Sequence, residues 1–127
     1  MPRLKTGIWV DALIRRAQVG GAFACVLRRG DRDAGSVVVV VSGRDGLTLY
    51  TPERDMQGER VWRPEALDAA ALAARIDDRQ SFDPDLTVVE IEDRDGRHFI
   101  EEPVVDPRPQ AGVADAAAAA RALFRDR

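Results

Sequence analysis

The chain is nearly without three residue types that often carry chemistry. Its 127 residues include one cysteine, Cys25, one histidine, His98, and one lysine, Lys5. A single cysteine forms no internal disulfide, so nothing points to an oxidising compartment. One histidine and one cysteine cannot supply the ligands of an ordinary zinc site. Lys5 stands in no Gly-x-x-x-x-Gly-Lys-[Ser/Thr] stretch, and no Gly-x-Gly-x-x-Gly occurs, so the usual phosphate cradles are missing. None of Ser36, Ser42 and Ser81 lies in a Gly-x-Ser-x-Gly elbow. No apolar run approaches the roughly 20 residues of a membrane-spanning helix, and Met1–Gly7 has no signal-peptide pattern. No period of repeat length recurs. The expectations are therefore a cytoplasmic protein with no membrane segment, no metal, no cofactor and no assignable catalytic residue.

What is present suits one globular domain. Hydrophobic residues make up 45% and charged residues 32% of the chain, proportions that support a core and argue against disorder throughout. Arginine outnumbers lysine eighteen to one and alanine occurs nineteen times, which reads as a habit of base composition. The net charge of −3 is unevenly spread. Residues 1–29 carry six basic side chains against Asp11, a net +5, and residues 77–106 carry eleven acidic side chains against three arginines, a net −8. The two poles are expected to neutralise each other in part on folding. A pI near 5.2 makes nucleic acid an unlikely partner.

Along the chain, residues 5–15 fit both a strand and a helical stripe, and their β-branched and aromatic residues favour a strand. Gln18 to Arg29 reads as a helix with an Ala22, Phe23, Val26, Leu27 stripe, ended by Gly30. Ser36 to Ser42, with five consecutive valines, reads as a central strand covered on both faces. An Asp45-Gly46 type I′ turn leads to a return strand, Leu47 to Thr51. Residues 52–58 read as loop, and Val61-Trp62 as a short extra strand. Pro64 opens a helix over Glu65 to Asp78. Leu86 to Glu92 is a strand, with Val89 and Ile91 inward, returning through Asp95-Gly96 to Arg97–Ile100. Pro103, Pro107 and Pro109 mark a linker over 104–112, and Val113 to Phe124 an alanine-rich helix. The fold class expected is α+β: a mixed, mostly antiparallel sheet with two hairpins and two or three packed helices. Residues 1–103 form the compact domain, 104–112 the linker and 113–127 the C-terminal helix.

Few residues point to chemistry. Gly20 and Gly21 stand at the expected start of the first helix, just after Arg15 and Arg16. A helix N-terminus flanked by guanidinium groups can hold an anion, so these four are the anion-binding candidates, against a plain strand-to-helix turn. Cys25 reads as core. His98 could act as a base with Asp93 opposite it across a hairpin. Asp83 with Asp85 and Glu90 with Glu92 read as solvated acids, since acid–base pairs need burial to separate their pKa values. Asp93-Arg-Asp-Gly lacks the spacing of a calcium loop. Trp62, between Arg60 and Arg63, suits stacking on a partner; the plainer alternative is a tryptophan sealing the sheet edge under the second helix. Leu123 and Phe124 would carry the apolar contact of the terminal helix, in cis or in trans.

Several segments together resemble a small bacterial family, domain of unknown function 1491. They are Ile8-Trp-Val-Asp-Ala-Leu-Ile-Arg-Arg, Val26-Leu-Arg-Arg-Gly-Asp, Ala34-Gly35 before the valines, Trp62, Phe82-Asp-Pro-Asp-Leu and Val89-Glu-Ile-Glu-Asp. The resemblance covers roughly residues 3–103 and departs at Thr87, where an aromatic is common. It implies one compact domain and, because the family has no assigned activity, transfers no catalytic residue. The leading expectation is a non-enzymatic cytoplasmic protein that binds another protein or itself, through Trp62, Leu123 and Phe124. The alternatives are an anion- or nucleotide-binding protein using Arg15, Arg16, Gly20 and Gly21, and, more weakly, a hydrolase built on His98.

Overall fold

The computed structural model describes residues 5–105; the rest of the expected linker and the alanine-rich segment, with Leu123 and Phe124, lie outside the described residues. The elements in order are α1 (Thr6–Val19), β1 (Phe23–Arg28), β2 (Val37–Gly43), β3 (Gly46–Arg54), β4 (Arg60–Leu67), α2 (Ala69–Phe82) and β5 (Thr87–Glu92). The strands form one sheet in the order β1-β5-β2-β3-β4. β2 pairs parallel with β5, and the other three pairings are antiparallel. The α+β class and the mixed, mostly antiparallel sheet are as expected.

The valine strand organises the packing. Side chains alternate across a strand, so its five valines divide between the two faces. Val37, Val39 and Val41 pack with Trp9, Val10 and Leu13 of α1, and with Val89 and Ile91. Val38 and Val40 pack with Leu49, Ile76 of α2, Leu86 and Val88. All five are buried. Each fully buried side chain of this size contributes roughly 1.5–3 kcal/mol of transfer free energy.

The first two elements are reversed relative to expectation. Residues 5–15 are helical, because Trp9, Val10, Leu13 and Ala17 make a buried 3.6-residue stripe that outweighs the β-propensity of single residues. The chain expected to be a helix over Gln18–Arg29 instead leaves α1 through Gly20, turns at Gly21 with φ 93°, and runs as β1. Its period is two as far as Val26, with Ala24 buried and Phe23 exposed; a bulge then leaves Leu27 outside the ladder and exposed.

Three smaller corrections have local causes. Pro64 lies inside β4, opposite Tyr50; an edge strand tolerates a residue with no N–H. α2 begins later, with the Asp68 carboxylate accepting from the Ala71 amide at 2.7 Å as its N-cap. In the β2–β3 turn, Gly43 pairs with Gly46, and the positive φ, 121°, is at Gly46 rather than at both central residues as a type I′ turn requires. The second hairpin is β3–β4, not a return through Arg97–Ile100. After β5, Asp93 accepts the Arg97 amide at 2.8 Å, and residues 97–100 form no strand.

That final segment closes one side of the sheet. Arg16 Nε donates to the Phe99 carbonyl at 3.0 Å, and Ile100 joins the core under α1. The chain then reaches the free side of β4. There the Trp62 amide donates to the Pro103 carbonyl at 2.9 Å, and the Val105 amide to the Trp62 carbonyl at 2.8 Å. The N-terminal and acidic poles meet in two ion pairs, Arg28–Asp77 at 2.8 Å and Arg16–Glu101 at 3.6 Å.

Val39 is fully buried between the two helical layers. Val39→Asp places an unpaired carboxylate there, at a cost of about 4 kcal/mol or more, a large share of a domain's stability. Circular dichroism should show the variant unfolded or melting far below wild type. A near-native melt would show that β2 does not hold the two layers together.

Candidate functional site

The four anion-binding candidates lie at the wrong end of a helix. Arg15, Arg16, Gly20 and Gly21 stand at the C-terminus of α1, where carbonyls and the negative end of the helix dipole face outward. The amides are already used: Gly20 donates to the Arg16 carbonyl at 2.9 Å and Gly21 to Gln18 at 3.0 Å. Arg15 is exposed, while Arg16 is held by Phe99 and Glu101. The N-terminus of α1 lies at Thr6, beside a cleft of about 210 Å³. Two of its donors are engaged, Gly7 N–H with the Arg32 carbonyl at 2.7 Å and the Thr6 hydroxyl with the Gly35 carbonyl.

Trp62 is fully buried, so it offers no surface to a partner. Its ring stacks on Trp9 at 5.1 Å and 16°, and the Arg60 guanidinium lies 5.1 Å from the Trp9 ring and 5.4 Å from the Trp62 ring. Glu102 fixes the group, accepting from Trp62 Nε1 at 2.7 Å and from Arg60 Nε at 3.0 Å. Trp62 thus seals the β4 edge, under α1 rather than under α2. Stacking and cation–π contacts of this kind each contribute about 1 kcal/mol, and Glu102 accepts from Trp62 Nε1, Arg60 Nε and Arg60 Nη2.

His98 and Asp93 do not act on each other. His98 packs against Tyr50 with ring centroids 5.1 Å apart, and its Nδ1 accepts the Ile100 amide at 2.9 Å. Burial lowers its pKa. Asp93 is buried and grips Arg97, with Arg97 Nη2 donating at 2.7 Å and Nε at 3.1 Å. The Arg97 side chain, then its amide, hold the Asp93 carboxyl down at about 2. A general base needs a free nitrogen or oxygen facing a substrate, and both groups are occupied in fastening the segment after β5. Among the described residues no three metal-ligating side chains cluster, and no helix is long and apolar enough to cross a membrane.

What the fold leaves open is β1. Among the described residues it pairs only with β5, as Phe23 with Glu92 and Cys25 with Glu90, and none of them pairs with the backbone groups of its other side. Phe23 is 59% and Leu27 50% exposed. Glu90 and Glu92, on the adjoining strand, have no ion-pair partner among the described residues. Burial, then Glu92, raise the Glu90 carboxyl, and burial, then Glu90 and Glu92, raise the Cys25 thiol. The opposite edge, β4, is bridged at Trp62 by Pro103–Val105. Phe23 and Leu27 were assigned above to the core of a helix. The signal that places Phe23 is its alternation with Ala24, Cys25 and Val26; Leu27 lies in a bulge between Val26 and Arg28, which period two does not foretell. Glu102, which orders the tryptophan pair, carried no sequence signal.

Comparison with known proteins agrees with this architecture. Residues 4–101 match a family described as "Protein of unknown function (DUF1491)", and the chain belongs to that family. A crystal structure of a DUF1491 family protein from Caulobacter crescentus CB15 is 48% identical, covers 81% of this chain and 100% of its own, and gives a TM-score of 0.76. An NMR structure of a DUF1491 family protein from the same organism is 46% identical over 84% of this chain and 100% of its own, with a TM-score of 0.75. The solution structure of a protein from A. tumefaciens is 31% identical over the same shares, 84% and 100%, with a TM-score of 0.69. No curated protein matches the chain. The family has no assigned function.

The two titrating groups of the final segment make an acid-stability prediction. His98 is held neutral in the fold, so protonation favours the unfolded chain, and stability falls as pH drops below about 6.5. Asp93 has a depressed pKa, so its contribution is present above about pH 4 and is lost as pH falls toward 2. Urea midpoints measured across this range should show two declines, and His98→Gln should abolish only the first. Superimposed profiles above about pH 4 would contradict the placement of His98.

Proposed function

We propose that this member of the DUF1491 family is a non-enzymatic cytoplasmic protein that acts by binding another protein, and that β1 is its binding edge. The single observation carrying this reading is the asymmetry of the sheet among the described residues: the β4 edge is bridged at Trp62 by the chain's own Pro103–Val105, whereas none of them pairs with the outer side of β1, where Phe23 and Leu27 are exposed. Strand addition to such an edge draws affinity from backbone hydrogen bonds and specificity from alternate side chains. The strand has no proline, lysine or acidic residue within it, and its one bulge, between Val26 and Arg28, leaves Phe23–Val26 as a regular edge. The engaged states of His98 and Asp93 support a non-catalytic role, and the lone cysteine supports the cytoplasm as its place of work.

A photoreactive benzoylphenylalanine placed at position 23 tests the edge in the cells that make the protein. Irradiation should give discrete protein adducts from position 23, and none or few from position 56, where the native Met56 is 98% exposed on the β3–β4 turn. Equal labelling from both positions, or none from position 23, would contradict a binding role for β1.

A further inference from the structure

Resting on the reading of β1 as a binding edge, we infer that its partner is a protein segment, added as a strand along Phe23–Val26, in which lysine or arginine alternates with apolar residues. The two faces of β1 differ in kind. Ala24 and Val26 pack in or against the core beneath α1, so alternation turns Phe23 and Cys25 to the other face. Val88 of β5 packs in the core beneath α2, so Glu90 and Glu92 share that same face. They stand beside Cys25 and Phe23 in the ladder. None of these four residues is part of the core that α2 covers. The sheet therefore has a bare acidic corner beside its open edge.

No cation of the described residues pairs with that corner. Arg28 donates to Asp77 at 2.8 Å and to Gln80, so it is committed to α2. Arg29 lines the cleft beside Thr6, on the α1 side. Burial, then Glu92, raise the Glu90 carboxyl, so a cation arriving there relieves a cost already present in the fold. No three metal-ligating side chains cluster among the described residues, which favours a cation carried on a chain over a metal ion. An added strand lies about 4.8 Å beyond β1, and so roughly 10 Å from β5. Between it and Glu90 stands only the small Cys25 side chain. The flexible stem of a lysine or arginine spans such a gap, and its charge can also lie over the exposed Phe23 ring. On the other face, the partner's alternate residues fall beside Ala24 and Val26, where apolar side chains extend the α1-side core. Phe23–Val26 itself holds no cation, so the same stretch of a second copy does not supply one.

The probe is a capped hexapeptide, Arg-Val-Arg-Val-Arg-Val, titrated into the isotope-labelled full chain and followed by NMR; the control is Glu-Val-Glu-Val-Glu-Val. The arginine peptide should shift the amides of Phe23–Val26, Glu90 and Glu92, less strongly as salt rises, and the glutamate peptide should shift none of them. The arginine peptide methylated at alternate backbone nitrogens should not bind, because strand pairing needs those N–H groups. Glu90→Gln with Glu92→Gln should weaken binding roughly threefold to tenfold with unchanged circular dichroism. Glu92→Gln alone, at an exposed position, should weaken it by less and serves if the double variant misfolds; the comparison of peptides needs no variant. Equal shifts from both charged peptides, binding that survives methylation, or shifts along the acidic 77–106 segment that bypass Phe23–Val26 would overturn the inference, as would no shift from any peptide. Adducts from position 23 report separately on the edge. Their persistence would leave β1 a binding edge for a partner of other chemistry, and their absence would remove both readings.

Discussion

Five consecutive valines must be removed from water on both faces of one strand, and the rest of the fold follows from how that is done. Val37, Val39 and Val41 face α1, and Val38 and Val40 face α2. A strand covered on both sides needs neighbours on both edges as well, since its amides and carbonyls have no other partners. β3 supplies one neighbour by a tight turn. The other, β5, arrives from far along the chain and runs parallel to β2, after β4 has extended the sheet and α2 has crossed the second face.

That arrangement decides which edges are exposed. Because β5 inserts between β2 and β1, β1 becomes the outer strand on one side and β4 on the other. The segment after β5 resolves only the second of these. Asp93 turns it by gripping Arg97, Arg16 and Ile100 hold it beneath α1, and it ends along Trp62. Close backbone packing brings the remaining connections in. Gly30 and Gly35 both lie against the Asp85 carbonyl, where any side chain would collide. Nothing comparable reaches β1 among the described residues, and Phe23 and Leu27, the second at a bulge, stay exposed among them.

The valine strand, its hairpin and the strand Leu86–Glu92 were legible in the sequence, because length and alternation leave little choice there. The first thirty residues were not. Ile8, Trp9 and Val10 have β-propensity one by one, while the buried stripe of Trp9, Val10, Leu13 and Ala17 is helical, and packing against β1 and β5 settles the matter. Gly20-Gly21 then read as a helix start when it is a helix end, which inverts the electrostatics of the expected anion site at Arg15 and Arg16. Trp62 was singled out for the right residue type, but only its long-range partners Trp9 and Glu102 show that it is sealed inside. The exposure of Phe23 and Leu27 was hidden for the same reason: it depends on β5 pairing with one side of β1 and on no described residue pairing with the other.

Residue-resolved amide hydrogen exchange in dilute protein reads the difference between the two edges directly. The Trp62 and Val105 amides, bonded across the covered edge at 2.9 and 2.8 Å, should exchange as slowly as β2. The alternate amides of Phe23–Arg28 that do not face β5 should exchange orders of magnitude faster, at rates near those of exposed loops. Slow exchange at every β1 amide, or fast exchange at Trp62 and Val105, would contradict a sheet closed on one side and open on the other.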